Sequence, residues 1–118
     1  MTEVTMVWRP SQAEFDAFAA VSGDDNPIHV SPEFSARTRF GRTVSHGMLI
    51  YARLWAMLQR LHPGALQVSQ SLMFPAPCFA GEDVRLSVSR ISEGRYGVSA
   101  VRVADGQAVL TGETEVAL

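Results

Sequence analysis

Residues 46–61 read His46-Gly47-Met48-Leu49-Ile50-Tyr51-Ala52-Arg53-Leu54-Trp55-Ala56-Met57-Leu58-Gln59-Arg60-Leu61, and Pro63-Gly64 closes the run. Such a stretch, free of internal proline and stopped by a Pro-Gly pair, predicts a helix over about 46–61. Apolar residues fall at nearly every helical angle. Only His46, Arg53 and Arg60, seven positions apart, with Gln59 beside them, make a narrow polar stripe. A helix apolar around most of its circumference belongs inside a domain. At 1.5 Å per residue it is roughly 24 Å long, enough to run the length of a sheet that wraps it.

Beyond this helix the period changes from helical to alternating. Leu66 and Val68 with Leu72 and Phe74, then Val84-Leu86-Val88, then Tyr96 to Val103, then Ala108, Leu110, Gly112, Thr114 and Val116 repeat with period two. That is the pattern of half-buried strands. Pro75–Gly81, Ser92-Glu93-Gly94 and Asp105-Gly106 separate them, and Asp-Gly between alternating runs signals a hairpin. Four antiparallel strands are therefore expected after the helix.

Before the helix, residues 3–8 suit a short strand that ends at Arg9-Pro10. Ser11, with Glu14 three residues later, has the reciprocal capping arrangement. A helix over about 11–21 follows, with Phe15, Phe18, Ala19 and Val21 on one face, and Ser22-Gly23 ends it. Residues 22–31 are expected to be irregular, because Pro27 restricts Asn26 to extended conformations. Ser31-Pro32-Glu33 then opens a short helix to about Thr38, with proline at its first position. The sum is an α+β fold in a single domain, 1–118: an antiparallel sheet wrapped around one central buried helix. One helix covers one face of such a sheet, so a homodimer is expected.

Composition narrows the function classes. With 118 residues, 47% hydrophobic and 19% charged, the chain is a globular protein with a real core. Its net charge of −2 and pI near 5.9 give no general attraction to nucleic acid or anionic membranes. All basic residues are arginine, which removes lysine nucleophile and Schiff-base chemistry. Cys78 is the only cysteine and sits in an apolar run, which suits a packing role and a reducing compartment. No signal peptide or transmembrane span is legible, so a cytoplasmic location is expected.

The chemistry concentrates in Ser22-Gly23-Asp24-Asp25-Asn26-Pro27-Ile28-His29 and in Ser45-His46-Gly47-Met48. A turn needs glycine, asparagine and proline, but not a carboxylate and an imidazole five residues apart. Aimed at one water, Asp24 and His29 could hold it, remove a proton and return one elsewhere. Taken singly, Asp24 reads as a turn residue and His29 as a packing histidine. Together with Gly47, whose N–H opens a helix whose positive end would favour a developing oxyanion, they read as a site. Metal binding by Asp24, His29 and His46 competes, but the spacing matches no zinc or iron pattern, and no metal is expected. A serine hydrolase reading fares worse, since no strand-to-helix Gly-x-Ser-x-Gly turn exists. Arg37, Arg39 and Arg42 form either a solvated face or a contact for an anionic ligand such as a phosphate.

Phe18-Ala19-x-x-Ser22-Gly23-Asp24-x-Asn26-Pro27-Ile28-His29, continued by Phe40-Gly41-Arg42-x-Val44-x-His46-Gly47-Met48-Leu49, resembles the hydratase signature of the MaoC-like family. Phe74-x-x-Pro77-x-x-x-Gly81-Glu82 is similar too. These are (R)-specific enoyl-CoA hydratases and 3-hydroxyacyl dehydratases of the hotdog fold. The resemblance implies a carbon–oxygen lyase in which Asp24 and His29 activate one water. The water adds to C3 of a trans-2-enoyl thioester while a proton goes to C2, reversibly. It further implies that the Gly47 N–H binds the thioester oxygen and that Asn26 holds the loop and the histidine. No metal or redox cofactor is implied. The substrate is an acyl-CoA or acyl-carrier-protein thioester, with its pantetheine arm entering near a dimer interface. Asp25 occupies a variable position and reads as an exposed loop residue.

Three departures from the family pattern stand out. Ser31 replaces a frequent aspartate, which touches only a helix cap. Trp55 stands where relatives often carry a small polar residue near the substrate, so it either shortens the acyl pocket or fills core. The chain is also slightly shorter than many hydratases. Two other readings remain open. One is a dehydratase acting on carrier-protein-bound intermediates, met by the 37–42 arginines. The other is a non-catalytic acyl-binding or heteromer-completing subunit, which a blocked pocket at Trp55 would favour. A hotdog thioesterase is disfavoured, since its acid belongs near the start of the central helix, where this chain has His46-Gly47.

Overall fold

The computed structural model describes residues 3–117. In chain order it contains β1 (Glu3–Trp8), α1 (Gln12–Ser22), α2 (Pro27–Val30), α3 (Pro32–Ala36), α4 (Gly47–Leu61), β2 (Leu66–Met73), β3 (Val84–Ser92), β4 (Arg95–Arg102) and β5 (Ala108–Ala117). The strands make one five-stranded antiparallel sheet in the order β1-β3-β4-β5-β2. The alternation read from sequence sets which face packs inward on the middle strands. Val84, Leu86 and Val88 of β3 and Tyr96, Val98 and Ala100 of β4 are buried in one cluster with Ile50, Leu54, Met57 and Leu58 of α4. Full burial of a leucine such as Leu54 or Leu58 contributes roughly 1.5–3 kcal/mol.

The capping box at Ser11 and Glu14 forms as expected. The Glu14 carboxylate also accepts from Trp8 Nε1 at 3.1 Å and lies 3.9 Å from Arg53, tying β1 and α4 to the start of α1. Gly23 ends α1 in the left-handed region at φ 81°, where only glycine sits without strain. The Asp105-Gly106 turn joins β4 to β5 through a loop of 103–107, with the Gly106 N–H donating to the Arg102 carbonyl at 2.8 Å. Among the described residues, no helix is long and apolar enough to cross a membrane.

Several expectations are corrected. The segment 22–31 is not wholly irregular. Asn26 caps Ile28 N–H with its side chain, and Pro27 pre-sets the first helical φ, so Pro27–Val30 closes a helical turn. The helix after Ser31 stops at Ala36, where the Thr38 hydroxyl donates to the Ser35 carbonyl instead. Val21 points into solvent. Helix α4 is buried on one side only: Met48, Ala52 and Ala56 face outward. His46, assigned to its polar stripe, is 2% exposed. Strand β2, an edge strand paired with β5, is exposed along nearly its whole length, with Leu66 at 70% and Val68 at 60%. In β5, Val109 is buried beside Leu110, where the ladder with β4 slips at Ala100 and Val101.

Candidate active site

Three chain segments meet around one loop. The N–H of Asp24 donates to Ser22 Oγ at 3.1 Å, directly after the Gly23 turn, and the Asn26 side chain accepts from Ile28 N–H at 3.1 Å. The resulting turn of helix points His29 inward. Its Nδ1 lies 2.8 Å from the Val44 carbonyl, while the Val44 N–H donates to the Ile28 carbonyl at 3.0 Å. The segment before α4 is anchored in turn from behind, where Ser45 N–H donates to the Cys78 carbonyl at 2.8 Å. Gln12 of α1 bridges both, donating to the His29 carbonyl at 2.9 Å and accepting from the Thr43 hydroxyl at 2.6 Å.

Because a carbonyl can only accept, Nδ1 of His29 carries a proton, and in the neutral ring Nε2 then presents a lone pair. That nitrogen stands 3.7 Å from Asp24 Oδ2, with side-chain exposures of 10% for His29 and 57% for Asp24. The gap is too long for a direct hydrogen bond. It is short enough for a single water oxygen to lie within hydrogen-bond reach of both atoms. Both groups line a cavity of about 580 Å³ whose walls include Phe18, Ile28, Ile50, Phe74 and Val109. The first turn of α4 opens onto it at Gly47, and no side chain caps that helix end.

Gly47 is small for a reason the sequence did not reveal. A Cβ there would stand 2.7 Å from the Phe74 ring, which lies against the glycine. Asn26 is exposed and absent from the cavity wall; its part is the cap of α2. Trp55 is not brought to this cavity. It lines a separate depression of about 370 Å³ with Phe18, Met48, Tyr51, Ala52 and Gln67. Asp25 is exposed, as read. Of the arginines, Arg39 lines the cavity, whereas Arg42 is held by Glu82 at 2.7 Å and packs on the Phe79 ring.

His46 enters the site in a way sequence reasoning missed. Its Nε2 donates to the Asp24 carbonyl at 2.8 Å, and its ring stacks on His29 with centroids 3.8 Å apart and planes at 25°. Asp24, His29 and His46 thus offer nitrogen and oxygen atoms within 4.8 Å of one another. They make a poor cation cage. Two nearly parallel rings cannot both aim a lone pair at one ion, and Nε2 of His46 and Nδ1 of His29 are already taken by carbonyls. Cys78 lines the wall but is no nucleophile, since burial pushes its thiol up to about 12.

The family described as "MaoC like domain" matches residues 2–111. An (R)-specific enoyl-CoA hydratase of Aeromonas caviae is 42% identical over 78 residues, covering 64% of this chain and 58% of that protein. A 3-hydroxybutyryl-CoA dehydratase of Methylorubrum extorquens is 42% identical over 80 residues, covering 66% and 51%. The chain thus spans about half the length of the curated relatives it matches. The solved (R)-hydratase of A. caviae, involved in PHA biosynthesis, superimposes with a TM-score of 0.85 at 32% identity, over 99% of this chain and 94% of that one. The sheet, its order and the helix packed on it are those of the hotdog fold.

Proposed function

This chain belongs to the MaoC-like domain family, and from that membership and the paired carboxylate and imidazole we propose that it catalyses the reversible hydration of trans-2-enoyl thioesters to (R)-3-hydroxyacyl thioesters. The observation that carries the proposal is the 3.7 Å gap between Asp24 Oδ2 and His29 Nε2. A water held by both loses a proton to the Nε2 lone pair as its oxygen bonds to C3. The pair returns one proton to C2, so one water is consumed and the enzyme ends as it began. Negative charge developing on the thioester oxygen is met by the Gly47 N–H at the uncapped start of α4. No metal or redox group has a part in this scheme. The names of the relatives support both the reaction and its (R) outcome.

The substrate arm and the assembly extend the same reading. Arg39 lines the cavity and has no acidic partner among the described residues, which supports an anionic arm entering there. Coenzyme A and a carrier-protein phosphopantetheine both supply one, and rates on matched CoA and carrier-protein thioesters separate them. The outward Met48 and Ala52 and the exposed Leu66 and Val68 support a homodimer that covers these faces.

The test is the fall of the conjugated enoyl absorbance when crotonyl-CoA is added. Wild type should be active, and Asp24→Asn and His29→Ala should each lose about 10²–10⁴-fold in kcat. Full rates in both variants would show that the pair does not act as acid and base.

A further inference from the structure

His46 has no step in the reaction proposed above, yet its placement is unusual for a residue at the head of a helix. That position ordinarily carries a short oxygen side chain that accepts from the first free N–H groups. The His46 side chain makes no such bond. It turns instead toward the loop, donates to the Asp24 carbonyl at 2.8 Å, and lays its face on His29. Phe18 closes on it with ring centroids 4.8 Å apart. Its other nitrogen, Nδ1, is buried with no hydrogen-bond partner among the described residues.

An unpaired buried acceptor is a liability, and phenylalanine would fill the same flat space without one. A residue there for packing alone would be better as phenylalanine. What only the imidazole combines is a flat face for His29 and a directed N–H for the Asp24 backbone. We propose that His46 is the positioning residue of the site, holding Asp24 through its carbonyl and His29 through its ring, and so setting the gap a water occupies. It lines the cavity beside them, but its part is to place the pair, and no bond-making step is assigned to it. This inference rests on the hydration reading for its kinetic consequence but not for its structural one.

The experiment uses the full chain with His46→Phe and, as a near-isosteric pair, His46→Gln and His46→Met. His46→Phe keeps the stack and removes both the N–H and the orphan nitrogen. Its Tm should be unchanged or higher, because the freed Asp24 carbonyl is open to water. Its kcat on crotonyl-CoA should fall by about 10- to 100-fold with KM nearly constant, the pattern of a misplaced group. Glutamine retains a donor that methionine lacks, so His46→Gln should keep several-fold more kcat than His46→Met. Amide hydrogen exchange across residues 24–29 reads the same clamp without turnover. It should quicken by about 2- to 10-fold in His46→Phe and His46→Met, the loss of one hydrogen bond. A His46→Phe enzyme within twofold of wild type, equal rates for glutamine and methionine, or unchanged exchange would each overturn the proposal. An inactive wild type whose variants still show the exchange change would count against the hydration reading and leave the clamp standing.

Discussion

A single methyl group added at Gly47 perturbs the site while leaving every polar atom of it in place. An ideal Cβ there stands 2.7 Å from Cε1 of Phe74, 2.8 Å from Cζ and 3.0 Å from Cδ1. Carbon atoms settle at about 3.5–4.0 Å, so the ring has to retreat by about 1 Å. Phe74 is 45% exposed and follows the last residue of β2, so this retreat strains little of the core. Helix propensity pulls the other way, favouring alanine over glycine by up to about 1 kcal/mol and less at the first turn. The two effects oppose each other, and Tm should stay within about 4 °C of wild type. Activity has no such compensation. The displaced ring is a wall of the cavity that holds Asp24 and His29, and it borders the N–H assigned to the thioester oxygen. Displacement of about 1 Å near reacting atoms costs up to about 10²-fold. Initial rates of enoyl-absorbance loss over a range of crotonyl-CoA concentrations, beside a thermal melt, measure both quantities. The expected result for Gly47→Ala is a fall in kcat/KM of about 10²-fold with an intact fold. Retention of kcat/KM within twofold would remove Gly47 and Phe74 from the site.

Three further outcomes follow from named contacts. Cys78, buried and with its thiol pushed up to about 12, should not react with a disulfide reagent at pH 8 in the native state and should titrate fully in denaturant; native labelling at a comparable rate would contradict its burial. The Arg102 guanidinium holds Asp105 below the ordinary carboxylate range, so the pair's stabilisation is complete above about pH 4 and fades as pH falls through the depressed folded value. The gap in urea midpoint between wild type and Asp105→Asn should therefore shrink from pH 7 toward pH 2, and a constant gap would show that the pair contributes nothing. Sedimentation should give twice the 12.9 kDa chain mass for wild type and a shift toward the monomer for Val68→Arg, whereas a monomeric wild type would leave β2 without its expected cover.

The features legible in the sequence are those fixed by short-range physics. The capping box at Ser11, the run from Gly47 to Leu61 and the alternation of Val84 to Val88 depend on period and local hydrogen bonding, and they stand where expected. The pairing of Asp24 with His29 was readable because a turn has no use for both. What stayed hidden depends on what lies opposite. A helical wheel groups His46 with Arg53 and Arg60, but it does not register that the first turn of α4 faces a loop while the others face solvent or Trp8. The outward side of β2 and of α4 is apolar in pattern, and no pattern within one chain tells cover by its own core from cover by a second copy. Trp55 followed the same logic: its position in the sequence places it on α4 but does not tell which depression it lines. Asn-Pro was read as a break in structure, yet the same two residues are a cap and a first helical position, and the one-turn α2 resulted.

The strand order carries a consequence in time. β3, β4 and β5 are consecutive in sequence and close as a meander, while β1 reaches across most of the chain to pair with β3. Pairings of such long separation form late, because loop-closure entropy must be met before the contact is made. The Asp24–His29 loop hangs between β1 and α4. The Val44 carbonyl that orients His29 belongs to a bridge with Phe79, beyond β2. The site is therefore the meeting point of the last segments to join. On dilution from denaturant, tryptophan fluorescence at Trp8, read in a Trp55→Phe variant, and turnover should recover together and behind the backbone signal of the sheet. Turnover that returns with the first β-sheet signal would mean the loop is set before the chain closes around it.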